Sequence, residues 1–202
     1  MKHNVILILL GFILAANLPA QDSSKVKLGL GFTLVDFRDL GNTFFSYHYF
    51  SPNFLVPVIL FEKVRIEPSL GYYNRFMKFE YPNEDHFYQL EDKNLHLGIG
   101  LFYLFKQKKF AYYLGTYYTY IFSEEVNKDE DGDEPTKGDG FALGPAFGTE
   151  YFFNPHFSLG GEVRFQYLKI DRVEKNKDGE KTGDIFYHSF ITRAIIVLRF
   201  YF

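Results

Sequence analysis

The 202-residue chain contains no cysteine and no tryptophan. Without cysteine it forms no disulfide and no thiolate zinc site, so its folded state must be stabilised by packing and hydrogen bonding. Basic residues are not in excess either, because 22 Lys and Arg stand against 25 Asp and Glu. Nucleic-acid-binding domains carry a basic surplus. We therefore expect no nucleic-acid partner, and no motif in the chain nominates a cofactor.

Long apolar runs are also lacking, and the longest lies near the start of the chain. Lys2 and His3 precede the apolar stretch 5–14, and smaller residues follow it. This is the layout of a secretory signal peptide, and the stretch is shorter than the roughly 20 apolar residues that a transmembrane helix needs. We expect a signal peptide over residues 1–20 and one mature domain over residues 21–202. A retained N-terminal anchor helix is the alternative.

Beyond residue 20 the longest apolar stretch covers residues 54–61, and Pro57 interrupts it. No transmembrane helix is therefore predicted for the mature chain. Aromatic residues nevertheless make up 20% of the sequence. An exported, aromatic-rich chain of this kind can cross a membrane by alternating apolar residues with small or polar ones along tilted strands.

Such alternation runs through the whole mature chain. In the segment 157–170, for example, Phe157 and Leu159 alternate with Ser158 and Glu162. A helix would mix these two sets, whereas a strand places them on opposite faces. The pattern recurs in eight segments, which begin near Val26, Phe54, Val64, Leu95, Phe110, Phe141, Phe157 and Phe186.

The connections between these segments alternate in length. The short ones fall at residues 62–63, 106–109 and 153–156. The long ones fall at residues 38–50, 80–93, 123–138 and 171–184. Short turns on one rim and long, extracellular loops on the other are typical of outer-membrane barrels. We predict an all-β fold, a closed, antiparallel, up-and-down eight-stranded transmembrane β-barrel that is monomeric and has both termini in the periplasm.

Residue size indicates which face of each strand looks inward. The interior of an eight-stranded barrel is only just wide enough for side chains, so we assign the face with Gly, Ser, Ala and charged residues to the lumen. A soluble barrel with the faces reversed is the alternative. We interpret the inward polar residues as a plug of paired charges, with an ion path or a polar binding site as the other readings. They are Arg65, Glu67, Glu150, Glu162, Arg164, Gln166, Arg193 and Arg199.

The C-terminal residues 198–202, Leu-Arg-Phe-Tyr-Phe, alternate and end in an aromatic residue. In this the chain resembles bacterial outer-membrane β-barrels, in particular the small eight-stranded barrels of the OmpX and OmpW kind. The Ala20–Gln21 junction and the Phe/Tyr-rich strands are similar to barrels of Bacteroidetes-type bacteria. The resemblance implies a Gram-negative outer-membrane location, contact with outer-membrane lipids, and recognition of Phe200 and Phe202 by the barrel-assembly machinery.

Two features depart from the pattern of this superfamily. Tryptophan is absent from the interfacial girdles, so Tyr and Phe must serve there. Prolines at positions 57, 68 and 145 fall inside predicted strands. Because a closed barrel has no free edge to accommodate proline, we expect a local bulge at each of them.

For function, architecture favours a structural or surface-interaction role without catalysis. The aromatic cluster 44–50 suits an extracellular protein or glycan ligand. A narrow pore or a transporter of small hydrophobic or ionic solutes is the alternative. A lipid-modifying enzyme is the third hypothesis, and the residues that come nearest to a catalytic pair are His188 and Ser189. Because neighbouring strand residues point to opposite faces, these two side chains cannot pair directly.

The acidic stretch 127–134, in the predicted loop 123–138, begins like a calcium-binding loop. The match fails at its twelfth position, where Gly138 stands in place of a bidentate Glu. We interpret the stretch as a solvated hairpin tip. Weak binding of a divalent cation is the alternative.

Overall fold

The computed structural model describes residues 26–38, 53–80, 87–129, 132–175 and 180–202. The predicted signal peptide 1–20 and the aromatic cluster 44–50 lie outside these residues. No helix in the described part is long and apolar enough to cross a bilayer. The described elements are the strands β1 (Val26–Arg38), β2 (Asn53–Leu55), β3 (Val58–Leu60), β4 (Val64–Glu80), β5 (Phe87–Gln107), β6 (Phe110–Asp129), β7 (Gly132–Asn154), β8 (Phe157–Lys175) and β9 (Lys181–Tyr201).

These strands occupy eight positions in one antiparallel ring. β2 and β3 are two parts of one strand, because both keep a single register against β1 and against β4. From β4 onward each strand pairs with the next along the chain. β9 then pairs with β1, where Arg199 lies opposite Gly31, and this pairing completes the ring. The predicted all-β, up-and-down, eight-stranded architecture is confirmed.

Alternation separates two faces along each strand. On β8, Glu162, Arg164 and Gln166 are at most 2% exposed, whereas Phe165 between them is 47% exposed. Because the interior of an eight-stranded ring admits little besides side chains, the buried set faces the lumen. The exposed apolar set forms the outer face, where contact with hydrocarbon contributes about 1.5–3 kcal/mol for each large side chain that it covers.

A β-bulge in β1 changes which of its residues face the lumen. The pairing of β1 with β9 shifts between Thr33 and Val35, so Leu34 is an extra residue in β1. The alternation reverses after it, because a bulge leaves one residue unpaired. As a result the Asp36 side chain is only 4% exposed and lies on the inner face.

The bulges predicted at Pro57, Pro68 and Pro145 are wrong, because the strand register is the same on both sides of each proline. The Val56 N–H donates to the Pro68 carbonyl at 2.9 Å. The N–H and C=O of a strand residue point to the same side. The backbone nitrogen of Pro68, which carries no hydrogen, therefore faces the interruption between β2 and β3. The ladder is already broken there, so no extra residue is needed.

The predicted long loops 80–93, 123–138 and 171–184 are wrong in their extent, because the strands continue into them. β6 and β7 pair without a break as far as Asp129 and Gly132. The predicted acidic loop is therefore mostly a two-stranded ladder. The short turns lie where they were predicted, at residues 61–63, 108–109 and 155–156.

Polar side chains accompany the extended part of the ladder. Lys137 on β7 lies 2.9 Å from Glu124 on β6, and Arg172 on β8 lies 3.1 Å from Glu125 on β6. Backbone pairing does not require apolar residues, which only the hydrocarbon demands. The strands therefore continue beyond the point where the apolar alternation ends.

Candidate functional site

The lumen contains a layer of six charged residues close to the short turns. Three arginines and three glutamates form it, and each residue is at most 2% exposed. They come from β4, β7, β8 and β9. We call this group the charged layer: Arg65, Glu67, Glu150, Glu162, Arg164 and Arg199.

Two arginines share the carboxylates of the charged layer. Arg199 donates two hydrogen bonds to Glu67, from Nε to Oε2 at 2.8 Å and from Nη2 to Oε1 at 3.1 Å. Arg65 donates from Nη1 to Glu150 Oε2 at 2.9 Å, and its Nε lies 3.5 Å from Glu67 Oε2. Arg199 Nη1 is also 3.6 Å from Glu150 Oε2. Bidentate and shared pairs of this kind hold guanidinium groups in one orientation.

The remaining carboxylates complete the layer. Arg164 Nε donates to Glu162 Oε1 at 2.5 Å. Glu150 accepts a hydrogen bond from the Tyr201 hydroxyl at 2.7 Å and another from the Ser158 hydroxyl. The formal charges of the six residues cancel. A neutral layer in which each charge has an oppositely charged neighbour is the arrangement in which buried charges are tolerated, whereas removal of one partner leaves an uncompensated charge.

Aromatic rings cover the arginines. The Arg65 guanidinium carbon lies 4.0 Å from the ring centroid of Tyr113 and 4.7 Å from that of Phe102. The Arg164 guanidinium carbon lies 3.4 Å from the Tyr117 ring centroid. Cation–π contacts of this kind contribute about 2 kcal/mol or more when they are desolvated. These aromatic partners were not among the predicted site residues, although their place on the glycine-bearing face was a usable signal.

Glycines provide the space for these rings. A Cβ added at Gly148 would lie 2.5 Å from the Tyr113 hydroxyl, and one added at Gly100 would lie 2.8 Å from a ring carbon of Tyr117. Both distances are shorter than real Cβ contacts. The large lumen rings and the small lumen residues of neighbouring strands therefore fit together, and the lumen is filled at this level.

The other two predicted lumen residues lie further from the short turns. Gln166 is 1% exposed, and its Nε2 donates to the Tyr117 carbonyl at 3.5 Å. Arg193 donates to Asp36 from Nε at 3.2 Å and from Nη2 at 2.5 Å. Asp36 was missed because the bulge in β1 brings it to the inner face.

Above the charged layer, toward the longer hairpins, the lumen contains a cavity of about 170 Å³, which we call the upper cavity. Its lining is mixed: Ile121, Ile170 and Ile191 are apolar, and Asn94, His96 and Thr119 are polar. The charged residues Asp92, Arg172 and Arg193 also line it. The two halves of the lumen thus differ, because side chains fill the lower half and leave space in the upper half.

The remaining sequence candidates lie outside the charged layer. Ser189 shares the inward alternation of Ile191 and Arg193 on β9 and donates to the Phe190 carbonyl at 3.4 Å, whereas His188 is exposed on the opposite face. Within the described ranges, no group of three or more His, Asp or Glu side chains is placed to hold a metal ion. Phe200 and Phe202 are 41% and 72% exposed.

Comparison with known proteins gives the same architecture. A search of curated proteins found no match. A major outer membrane protein from Thermus thermophilus superposes with a TM-score of 0.59 at 13% identity, over 88% of this chain and 99% of that one. Neisserial surface protein A (NspA) superposes with a TM-score of 0.47 at 14% identity, over 88% of this chain and 96% of that one.

A third solved structure is the outer membrane protease OmpT of Escherichia coli, with a TM-score of 0.44 at 11% identity, over 88% of this chain and 79% of that one. At 13% identity the likeness to the Thermus thermophilus protein shows the fold alone. The family model of the outer membrane protein β-barrel domain matches residues 5–190. The chain therefore belongs to the outer-membrane β-barrel domain family and is a protein of the bacterial outer membrane.

Proposed function

We propose that this protein is a closed outer-membrane barrel that serves as a scaffold for surface interaction and carries no catalytic activity. The observation that carries the proposal is the charged layer. Arg65, Glu67 and Arg199 are each 0% exposed, which supports a lumen that is closed at that level. A conducting pore would need a continuous polar path past these side chains.

Strand length supports the surface role. β5, β6 and β7 contain 21, 20 and 23 residues. About 9–11 residues suffice to cross the hydrocarbon at a tilt. The remaining residues extend the sheet beyond the membrane, on the side away from the short turns. This extension, with its charged side chains, is the surface that we propose contacts an extracellular protein or glycan.

The outer face and the last strand support the remaining partners. Exposed aromatic and aliphatic side chains cover the outside of the ring. We propose that the protein is a monomer and that outer-membrane lipids contact these side chains. Phe157 and Phe200 stack there with their ring centroids 5.0 Å apart. We propose that Phe200 and Phe202, both on the outer side, form the signal that the barrel-assembly machinery binds.

The two alternatives find less support in the geometry. A narrow pore is favoured only by the upper cavity, which ends at the charged layer. A lipid-modifying enzyme would need a hydroxyl activated by a base. The Ser189 hydroxyl instead donates to a backbone carbonyl, and we propose no catalytic role for it.

Planar-bilayer recording tests whether the barrel is closed. The purified wild-type protein is expected to show no stable conductance steps. A variant with Arg65→Ser, Glu67→Ser and Arg199→Ser removes the side chains that fill the lumen and is expected to conduct. The matched control is Glu62→Ser with Lys106→Ser, which removes an exposed ion pair of 3.4 Å near the short turns. Reproducible open channels in the wild-type protein would overturn the proposal.

A further inference from the structure

We propose that the upper cavity binds a small amphipathic molecule with an apolar body and one hydrogen-bonding group. The ligand enters from the extracellular side, because the charged layer closes the other end. This inference goes beyond the scaffold role, since a barrel that does not conduct can still bind a ligand in its outer half. It requires a cavity of suitable size, a lining with both apolar and hydrogen-bonding side chains, and a polar group that lacks a partner.

The size of the cavity limits the ligand to about one substituted aromatic ring. Its volume is about 170 Å³. An engineered apolar cavity of about 150 Å³ is known to bind benzene. A ring with one small polar substituent therefore fits, whereas a sugar chain, a peptide or a lipid does not.

The backbone of β7 creates this space. The inner positions of β7 at this level carry Gly138, Gly140, Ala142 and Gly144, which contribute almost no side-chain volume. A Cβ at Gly140 would lie only 2.2 Å from the Lys169 carbonyl oxygen on β8. Because a backbone atom cannot yield as a side chain can, glycine is required there. The empty space is thus a consequence of how closely β7 and β8 approach.

The lining of the cavity combines apolar side chains with polar and charged ones. β6, β8 and β9 contribute Ile121, Ile170 and Ile191, which suit an apolar body. β5 contributes Asn94 and His96, which carry hydrogen-bonding groups. Three charged residues also line the cavity and already have partners: Arg172 pairs with Glu125, Arg193 pairs with Asp36, and Asp92 accepts a hydrogen bond from Asn94. Ligand pockets commonly combine an apolar lining with a few polar groups that orient the ligand, and an amphipathic molecule matches such a mixed lining.

Thr119 supplies the polar group that lacks a partner. It is 4% exposed and lines the cavity, and within the described part of the chain its Oγ1 has no hydrogen-bond partner. Its neighbours in register are Gly98 on β5 and Ala142 on β7. These residues are too small to cover the hydroxyl. A ligand hydroxyl placed against Thr119 would therefore satisfy a buried group that the protein leaves unpaired.

Phenol is a suitable probe, and benzene is its comparator because it lacks the hydroxyl. The protein is prepared in lipid nanodiscs with ¹³C-labelled isoleucine methyl groups, and each compound is titrated while the methyl spectrum is recorded. We expect saturable shifts at Ile121, Ile170 and Ile191. Shifts that rise linearly with phenol concentration would mean partition into the lipid only and would overturn the proposal.

Two variants locate the site. Thr119→Val should weaken phenol binding by about 5-fold, the effect of one lost hydrogen bond, and leave benzene binding unchanged. The matched control is Thr149→Val, which removes a hydroxyl from the outer face and should change neither. Ala142→Leu fills the cavity and should abolish both saturable shifts. Equal phenol affinity in the wild type and in Thr119→Val would contradict the role of this hydroxyl, even if Ala142→Leu does not fold.

Discussion

Arg199 and Glu67 lie 132 positions apart in the sequence and form a buried bidentate ion pair across the lumen, with N–O distances of 2.8 and 3.1 Å. Their strands, β9 and β4, do not pair with each other, because β1 and the β2–β3 strand lie between them in the ring. The ion pair therefore links two sides of the barrel that the backbone ladder connects only indirectly. In the closed barrel that we propose, this contact both blocks the lumen and braces the ring.

Replacement of one carboxylate in this layer should be costly. Glu67→Gln leaves Arg199 and Arg65 buried beside a neutral group, and an uncompensated buried charge destabilises by about 3–5 kcal/mol. Urea unfolding in lipid vesicles, or the temperature at which the folded band is lost on gel electrophoresis, measures the change. The control is Glu62→Gln, which weakens an exposed pair with Lys106 and should change the free energy of unfolding by at most about 1 kcal/mol.

A double-mutant cycle separates the pair from its surroundings. Glu67→Met and Arg199→Met each remove one charge, and the double variant removes both. Because the second substitution relieves the charge that the first leaves unpaired, we expect a coupling energy of about 1–3 kcal/mol. If the effects of the two single substitutions sum to the effect of the double variant within about 0.5 kcal/mol, the contact is energetically unimportant.

The fit between lumen rings and lumen glycines makes a further prediction. A Cβ at Gly148 would lie 2.4 Å from the Gly161 carbonyl oxygen and 2.5 Å from the Tyr113 hydroxyl. Gly148→Ala should therefore lower the free energy of unfolding by about 1–3 kcal/mol, the usual cost of overpacking. Gly161→Ala is the matched control, because its added Cβ would meet nothing within 4 Å. Equal stability of the two variants would argue against a tightly filled lumen.

Removal of Phe202 tests the proposed insertion signal. In cells, a chain that lacks this residue should be depleted from the outer-membrane fraction, because the assembly machinery binds it poorly. The same purified chain should still fold in detergent. Phe153→Ser replaces another exposed aromatic residue near the short turns and should leave the amount in the outer membrane unchanged. A normal amount of the truncated chain there would exclude Phe202 as the signal.

Period-two alternation was sufficient to predict the ring of strands. Every predicted segment from Val64 onward is a strand, because a membrane strand must separate apolar residues from small or polar ones. The bulge at Leu34 was missed because the change of the apolar positions from even at Leu34 to odd at Val35 and Phe37 was not interpreted as an extra residue. Its consequence, Asp36 beside Arg193, was missed for the same reason.

The extracellular extent of the strands was also beyond the sequence pattern. Around Glu124 and Lys137 the apolar alternation ends, so the sequence pattern predicts a loop over residues 123–138. The backbone ladder continues nevertheless, because cross-strand polar pairs are compatible with it. Similarly, the placement of the Tyr113 ring beside Arg65 depends on the register of β6 and β4, which are joined only through β5. No local sequence pattern specifies that register.

Accessibility of single introduced cysteines tests the closed lumen most directly, because the natural chain contains no cysteine. Ser158 is 0% exposed and binds Glu150 in the charged layer, whereas Glu62 is exposed near the short turns. Ser158→Cys and Glu62→Cys variants in lipid vesicles are treated with a charged, water-soluble thiosulfonate reagent. A closed lumen predicts rapid labelling of the variant at position 62 and none at position 158. Comparable labelling rates at the two positions would contradict the account.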